Sequence, residues 1–438
     1  MSKKILVLGS GGREDAIAWK LSLSEKVSKI YVAPGNGGTA SLNKCSNLDI
    51  PLKKESFFKL IDFAKVEDID LTIVGPDDAL ADGIVDLFEE AGLKVFGPNY
   101  KAAEIESSKA FSKELMRKAN IPTAAYEVFS DYESACAYVK DQGKYPVVVK
   151  ASGLALGKGV NICQTEKEAM DFIQKIFIDK IFGKAGNEVL IEEFLKGHEI
   201  SIHAFCDGKS AMLFPAAQDH KAIYENDQGP NTGGMGTIAP LPWLNSDVLI
   251  EVSQTIVLPI LKAMADEGRI FKGLLYPGLI MTDEGPKVLE FNARFGDPET
   301  QSYMRLLESD LFDILEACAD SRLEEIDLQW SQESVATVIL ASDGYPKSYE
   351  KGFEISGISE AEEIEGVTVF HAGTLISDDG KLVTNGGRVL AVSALAENLE
   401  TAIEKAYFAA DKIDFKGKYI RRDIGAKALK FEAIELKV

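Results

Sequence analysis

Four strings in this chain combine residue types and spacings able to do chemistry. In the first, Pro146-Val-Val-Val-Lys150 reads as a β-branched strand delivering one ammonium at its end, followed by Ala-Ser-Gly-Leu-Ala-Leu-Gly-Lys-Gly159. Gly153, Gly157 and Gly159 allow backbone N–H groups to approach an anion without obstruction by a Cβ. This suits phosphate, although Gly159 follows Lys158 and the string is not the G-x-x-x-x-G-K-S/T loop. A flexible hairpin with solvated lysines accounts for it equally well. The second string, Val189-Leu-Ile-Glu-Glu-Phe-Leu195 and then Lys-Gly-His-Glu199, can offer backbone groups to an adenine edge and a carboxylate to a ribose. Alone, it reads more simply as a strand end with solvated glutamates.

The third string is Lys287-Val-Leu-Glu290-Phe-Asn292-Ala-Arg294-Phe-Gly-Asp297-Pro-Glu299. On a strand Glu290 and Asn292 share a face, about 7 Å apart, and pair a carboxylate with an amide oxygen in a manner suited to Mg²⁺. Arg294, next on that face or just beyond the strand, offers a fork for a carboxylate or phosphate. A charged set ending a strand beside Gly-Asp-Pro favours function over structure. The fourth string, Gln218-Asp219-His220-Lys221 followed by Gly229-Pro-Asn-Thr-Gly-Gly-Met-Gly236, places four glycines within eight residues, as loops that surround a ligand do. His220 reads as a hydrogen-bonded structural residue. With His198, His203 and His371 so scattered, neither a histidine metal site nor a catalytic triad is supported.

The elements positioning these strings follow from periodicity. Strands are predicted at Lys4–Leu8, Ile30–Val32, Leu71–Val74 and Lys94–Phe96, each running into a Gly- or Pro-containing turn. Such spacing implies a parallel sheet with crossover helices and ligands at the strand C-termini. A helix over Ser107–Asn120 carries Ala110, Phe111, Leu115 and Ala119 on one stripe, capped by Ser107 or Ser108 and ended by Ile121-Pro122. A later strand, Ser334–Ala341, precedes a closing helix with Leu399, Ala402, Ile403, Ala406, Ala410 and Ile413 on one face.

The chain has 438 residues, enough for three or four units, and 46% of them are hydrophobic. A formal charge of −21 argues against nonspecific binding to nucleic acid or an anionic membrane, but not against a phosphorylated small molecule held by a local donor cluster. Only short apolar runs are evident, and Met1-Ser2-Lys3-Lys4 leads directly into a strand rather than a signal peptide. A cytoplasmic location is therefore expected. Five scattered cysteines without a C-x-x-C pair read as buried free thiols.

Taken in order, these strings resemble the phosphoribosylamine–glycine ligase family from end to end. The resemblance includes Val7-Leu-Gly-Ser-Gly-Gly-Arg-Glu14, Ala33-Pro-Gly-Asn-Gly-Gly38, Gly75-Pro76, Ser108-Lys-Ala-Phe111 and the four strings above. Gly344-Tyr-Pro346, Thr384-Asn-Gly-Gly-Arg-Val389 and Tyr419-Ile-Arg-Arg-Asp-Ile-Gly425 extend it through the C-terminal part. It implies an α/β and α+β multidomain fold: a Rossmann-like parallel domain (1–104), an ATP-grasp core (105–125 with 196–330), a flap subdomain (126–195) and a small C-terminal α+β domain (331–438). ATP would lie between two α+β subdomains. Lys109 and Lys150 would meet its phosphates beneath a flap including Ser152, Gly153, Gly157, Lys158 and Gly159. Glu192, Glu193, Phe194 and Leu195 would line the adenine pocket, and Glu199 would hold the ribose.

Glu290 and Asn292 would ligate Mg²⁺ (or Mn²⁺). The preceding stretch, Tyr276–Ile280, lacks the additional acidic ligand common in ATP-grasp enzymes. Lys158, Asp219 and Arg294 are the implied catalytic residues, with Arg294 on the glycine carboxylate. Asn231, Thr232, Gly233, Gly234, Asp297 and Glu299 would complete the substrate site. Gly11, Gly12 and Arg13 would take the phosphate of 5-phosphoribosylamine at a helix N-terminus. The implied reaction passes through glycyl phosphate, so positioning and charge neutralisation suffice without a side-chain nucleophile. A monomer or weak homodimer is expected, and the absence of extra length argues for this one step alone. A related ATP-grasp carboxylase or transformylase would not be expected to share Gly229–Gly236 or the Arg-Arg-Asp-Ile-Gly string. A noncatalytic nucleotide-binding module would be expected to lack a phosphate or metal residue. Three positions depart from the family pattern: Asp15 replaces histidine, Ser152 an acidic residue, and Asp77 a glutamate. Asp15 bears most on the phosphoribosylamine contacts.

Overall fold

The computed structural model describes residues 2–155 and 158–430. Its N-terminal sheet consists of β1 (Lys3–Gly9), β2 (Val27–Pro34), β3 (Cys45–Asn47), β4 (Leu71–Val74) and β5 (Val95–Phe96), all parallel and ordered β3-β2-β1-β4-β5. Apolar runs buried on both faces drive this layer; Ile5, Leu6, Val7 and Leu8 are all fully buried. β1 lies between β2 and β4, so Gly9–Gly12, Gly35 and Gly75 meet where the strand order reverses. Helix α1 (Gly12–Ser22) begins there.

Two antiparallel sheets follow. Tyr126–Phe129, Val189–Glu193, Val147–Ala151 and Val160–Cys163 pair in that order. Helices Tyr132–Gln142 and Glu166–Phe177 join them around a separate core including Val139, Val149, Ile173 and Ile191. The other sheet is built on Lys272–Thr282, which pairs with His198–Ser201, Ala204–Asp207 and Gly285–Asn292. A six-stranded sheet then joins Gln218–Asp219 and Gly236–Ala239 to the C-terminal strands Ser334–Ser342, Arg388–Ala396, Val367–His371 and Lys418–Ile420. The α/β plus α+β multidomain architecture is as expected. All five cysteines are free, and four are buried.

Two expectations need correction. The helix expected over 107–120 is present as Lys109–Lys118, capped by Ser108, whose Oγ accepts from Phe111 N; a separate helix, Tyr100–Ser107, precedes it, and the stripe that faces the core differs from the expected one. The second helix buries Ser112, Lys113, Leu115 and Met116, a stripe rotated from the apolar one, because an ion partner inside the protein compensates Lys113. The apolar runs are also not all short. The helical stretch Ser246–Asp266 spans 21 residues at a hydropathy of 1.6, long and apolar enough by composition to cross a membrane. Core packing accounts for its apolarity: Val248, Val252, Ile256, Val257 and Ile260 are buried in the main apolar cluster.

Candidate active site

Lys150, next to last in its strand, lies inside the protein with Nζ 3.0 Å from Glu192 Oε2 and donating to Leu289 O at 3.1 Å. Lys113 approaches the same Glu192 oxygen at 3.0 Å and donates to Thr123 Oγ1 at 2.7 Å. The Glu192 side chain is only 2% exposed, and its other oxygen is buried without a hydrogen bond. Burial lowers the Lys113 ammonium to about 8 despite the carboxylate. Lys109 opens its helix and donates to Gly153 O at 3.3 Å; burial lowers its pKa as well.

Ser152 N donates to Glu188 O (3.0 Å) and Gly153 N to Ala185 O (2.9 Å), so two amides expected at phosphate are bonded within the protein here. Ser152 Oγ accepts from Ala110 N at 3.2 Å, which gives this departure a local structural role at the helix start. A Cβ on Gly153 would lie 2.6 Å from Ala185 Cα, so close backbone packing requires this glycine. Gly157 lies outside the described residues. Lys158 is exposed and Gly159 buried. Glu193 accepts from Ala125 N at 2.9 Å, and Phe194 is exposed beside half-buried Leu195. Glu199 is exposed and ion-pairs with Lys221 at 3.0 Å.

Glu290 is the focus of the cations. Burial alone would raise its pKa, but Lys221, Lys109, Lys150 and Arg294 together hold it below its ordinary value. Asn292 lies on the same strand; its Oδ1 accepts from Arg294 at 3.1 Å and its Nδ2 donates to Tyr276 O at 3.3 Å. Arg294 is anchored by Glu106 at 3.2 Å, and Glu106 also accepts from Ala293 N at 2.7 Å. Arg294 Nε remains buried without a partner.

A second buried acidic group adjoins this cleft. Glu299 Oε1 accepts from Tyr276 OH (2.7 Å) and Ser201 Oγ (3.1 Å). Asp219 Oδ1 is buried and unpartnered; burial first, then Glu299, raises its pKa well above the ordinary value. The glycine loop closes on it. Gly234 has φ +110°, and a Cβ there would lie 2.6 Å from Asp219 Oδ1. Thr232 Oγ1 donates to Lys221 O (2.8 Å) and accepts from Gly234 N (3.0 Å), while Asn231 is exposed. His220 is structural, held between Gly236 O (3.0 Å) and Gly425 N (3.1 Å).

Beyond Asp297 lies a cavity of about 730 Å³. Gly11, Gly12, Asn36, Tyr345, Gly373 and Arg388 are among the residues lining it. Arg13 is not among them: its Nε pairs with Glu14 and an NH1 donates to Phe295 O at 3.1 Å. Gly11 N donates to Glu14 Oε2 at 2.6 Å, so the chain's own carboxylate occupies that amide at the helix start. Asp15 turns from the cavity and is buried, accepting from His371 N at 3.0 Å. Asp77 opens a short helix, Asp77–Ala81. Sequence reasoning left Glu106, Lys113, Lys221, Tyr276 and Arg388 without roles. Only charged residues inside otherwise apolar patterns hinted at the first two.

Burial raises the Asp15 carboxyl from 3.8 to about 8. Between about pH 4 and 8 the folded protein therefore binds more protons here than the unfolded chain, and stability falls as pH rises through that window. Asp15→Asn should remove this contribution, so the variant gains on wild type by up to about 1.4 kcal/mol per pH unit. Urea unfolding at pH 5 and pH 8 measures it; an equal difference between the proteins at both pH values contradicts the assignment.

Comparison with known proteins places three consecutive family models on the chain. They are the phosphoribosylglycinamide synthetase N domain (residues 3–106), ATP-grasp (A) domain (107–300) and C domain (335–427). The phosphoribosylamine–glycine ligase of Caldanaerobacter subterraneus is 48% identical over 423 residues, covering 97% of this chain and 99% of that protein. The Gallus gallus trifunctional purine biosynthetic protein adenosine-3 is 46% identical, with 98% of this chain matching 43% of that one. Among solved structures, the phosphoribosylamine–glycine ligase of Thermotoga maritima superposes with a TM-score of 0.83 at 33% identity, covering 96% of this chain and all of that one. Campylobacter jejuni biotin carboxylase shares the fold at a TM-score of 0.73 and 14% identity, with 98% of this chain and 96% of that one covered.

Proposed function

The chain belongs to the phosphoribosylglycinamide synthetase family, and we propose that it joins glycine to 5-phosphoribosylamine using ATP, forming glycinamide ribonucleotide, ADP and phosphate in purine biosynthesis. The observation that carries this reading is Glu290, on one strand with Asn292, with Lys109, Lys150, Lys221 and Arg294 near enough for their charge to hold its carboxyl below the ordinary value. Four cations around one carboxylate suit a polyphosphate with its metal ion better than a structural ion pair.

ATP and Mg²⁺ (or Mn²⁺) are the cofactors of this reading. The residues fit a magnesium ion: Glu290 and Asn292 supply hard oxygen donors on one strand. Among the described residues there is no cluster of three or more His, Cys, Asp or Glu side chains able to hold a metal. Phosphates and water would complete the shell, as Mg²⁺ ordinarily requires. When bound, the ion neutralises charge on the transferring phosphate.

Lys109 and Lys150 hold the phosphates, and Ser152, Gly153, Gly157, Lys158 and Gly159 belong to the flap that excludes water from them. Glu192 to Leu195 receive the adenine. Glu199 receives the ribose, with Lys221 steering the carboxylate. Arg294, fixed by Glu106, has Nε left for the glycine carboxylate. Asp219, with Glu299 behind it and Asn231–Gly234 across from it, faces the glycine amino group.

Glycine carboxylate attacks the γ-phosphorus, the bond to the ADP oxygen breaks, and glycyl phosphate forms. The amine of phosphoribosylamine then attacks the acyl carbon; phosphate leaves and the amine proton passes to solvent or Asp219. The second substrate occupies the cavity beyond Asp297, with Gly11 and Gly12 in its wall and Arg13 behind them, bonded to Glu14 and Phe295 O. The reading includes the division at 104, 125, 195 and 330, cytoplasmic operation as a monomer or weak homodimer, and no nucleic-acid or membrane partner.

ADP release should require both glycine and freshly generated phosphoribosylamine. MgATP binding without release, when both are supplied, would overturn the ligase reading.

A further inference from the structure

Thr384-Asn-Gly-Gly-Arg-Val389 has no part in the chemistry above, yet it reaches the site from the C-terminal sheet. Arg388, the first residue of Arg388–Ala396, points into the central domain. Its NH1 donates to Gly233 O, to Asp297 O at 2.8 Å and, at 3.4 Å, to Gly234 O. NH2 pairs with Asp297 Oδ1 at 3.2 Å. Beside it Tyr345 OH accepts from Gly233 N at 3.0 Å. A Cβ on Gly233 would sit 3.0 Å from Arg388 Cζ, so the loop packs tightly on the guanidinium.

The same guanidinium lines the 730 Å³ cavity with Tyr345, Asn385 and Asp297. One group therefore touches both the loop that closes on Asp219 and the wall of the second chamber. A planar fork can satisfy several carbonyls and a carboxylate at fixed angles, which a lysine cannot.

We propose that Arg388, assisted by Tyr345, is a positioning residue through which the C-terminal domain holds Gly233, Gly234 and the Asp297 turn, so that the glycine site and the second-substrate cavity share one boundary. The proposal rests on the ligase reading. Its function is to keep acyl transfer coupled: a displaced boundary lets water, in place of the amine, attack glycyl phosphate and return glycine and phosphate.

The test uses full-length wild type, Arg388→Gln, Arg388→Lys and Tyr345→Phe, with three readouts: MgADP affinity, KM for glycine, and glycinamide ribonucleotide formed per ADP. Arg388→Gln should raise the glycine KM roughly 10- to 100-fold and lower the product-to-ADP ratio below that of wild type. MgADP affinity should stay within about twofold, because the nucleotide cleft shares no partner with Arg388. Arg388→Lys should remain closer to Arg388→Gln than to wild type, and Tyr345→Phe should shift both quantities less, in the same direction. An unchanged ratio and KM in Arg388→Gln overturns the proposal. So does equal weakening of glycine and MgADP with an unchanged ratio, the signature of general loosening. If wild type itself shows no ADP release dependent on both substrates, the ligase reading falls and this proposal falls with it.

Discussion

Glu290→Gln is expected to lower ligase turnover by roughly 10²- to 10³-fold or more while leaving the unfolding transition nearly unmoved. The substitution keeps the size of the side chain and removes only its charge. Each surrounding cation retains another partner: Glu192 for Lys150, Glu199 for Lys221, Glu106 for Arg294 and Gly153 O for Lys109. The folded state therefore loses little. A bound nucleotide loses a metal donor, so affinity for MgADP should fall while affinity for metal-free ADP holds or rises, since an anion facing the phosphates is gone. Steady-state kinetics and calorimetric titration with and without Mg²⁺ separate these effects. Near-normal turnover would rule out the metal role.

Glu192→Gln should be the most damaging change to stability, by about 3 kcal/mol. Two ammonium groups, Lys113 and Lys150, converge on one buried Glu192 oxygen; the amide leaves Lys113 without its buried counter-charge and Lys150 with only Glu290 and Leu289 O. Lys113→Met in the same protein should recover part of the loss, because it removes one of the stranded charges, whereas independent effects would add. Urea denaturation of the two single variants and the double variant gives the coupling. A Glu192→Gln protein within about 0.5 kcal/mol of wild type would show that the triad bears no net weight. The KM for ATP should rise in the same variant, since Lys150 and the adenine edge both depend on this carboxylate.

Local patterns were enough for much of the fold. Leu71–Val74 appears at its expected bounds, and β1 extends its predicted run by one residue at each end. Ser108 caps its helix as the residue type suggested. These features depend on periodicity and on residues a few positions apart, which a sequence displays directly. The helix stripe was misread because an apolar count cannot foresee that Lys113 is buried on a partner supplied by another sheet.

The sequence by itself determined the chemistry available: the glycine loops, the Glu290–Asn292–Arg294 face, and the family to which their order points. Strand alternation places Glu290 and Asn292 on one surface whatever surrounds them, and Arg294 follows just beyond the strand end. The tertiary structure decided which groups are free to act. Glu106 reaches Ala293 N across 187 residues and Arg388 reaches Gly233 O across 155, contacts that no local pattern encodes. It also decided that the Gly11 and Gly153 amides are bonded internally here and that Arg13 is taken up by Glu14 and Phe295 O instead of lining the cavity. The reason is competition for hydrogen-bond partners: a donor's type is written in the sequence, but whether it already has an acceptor depends on which distant backbone and carboxylate oxygens the packing of the sheets brings against it.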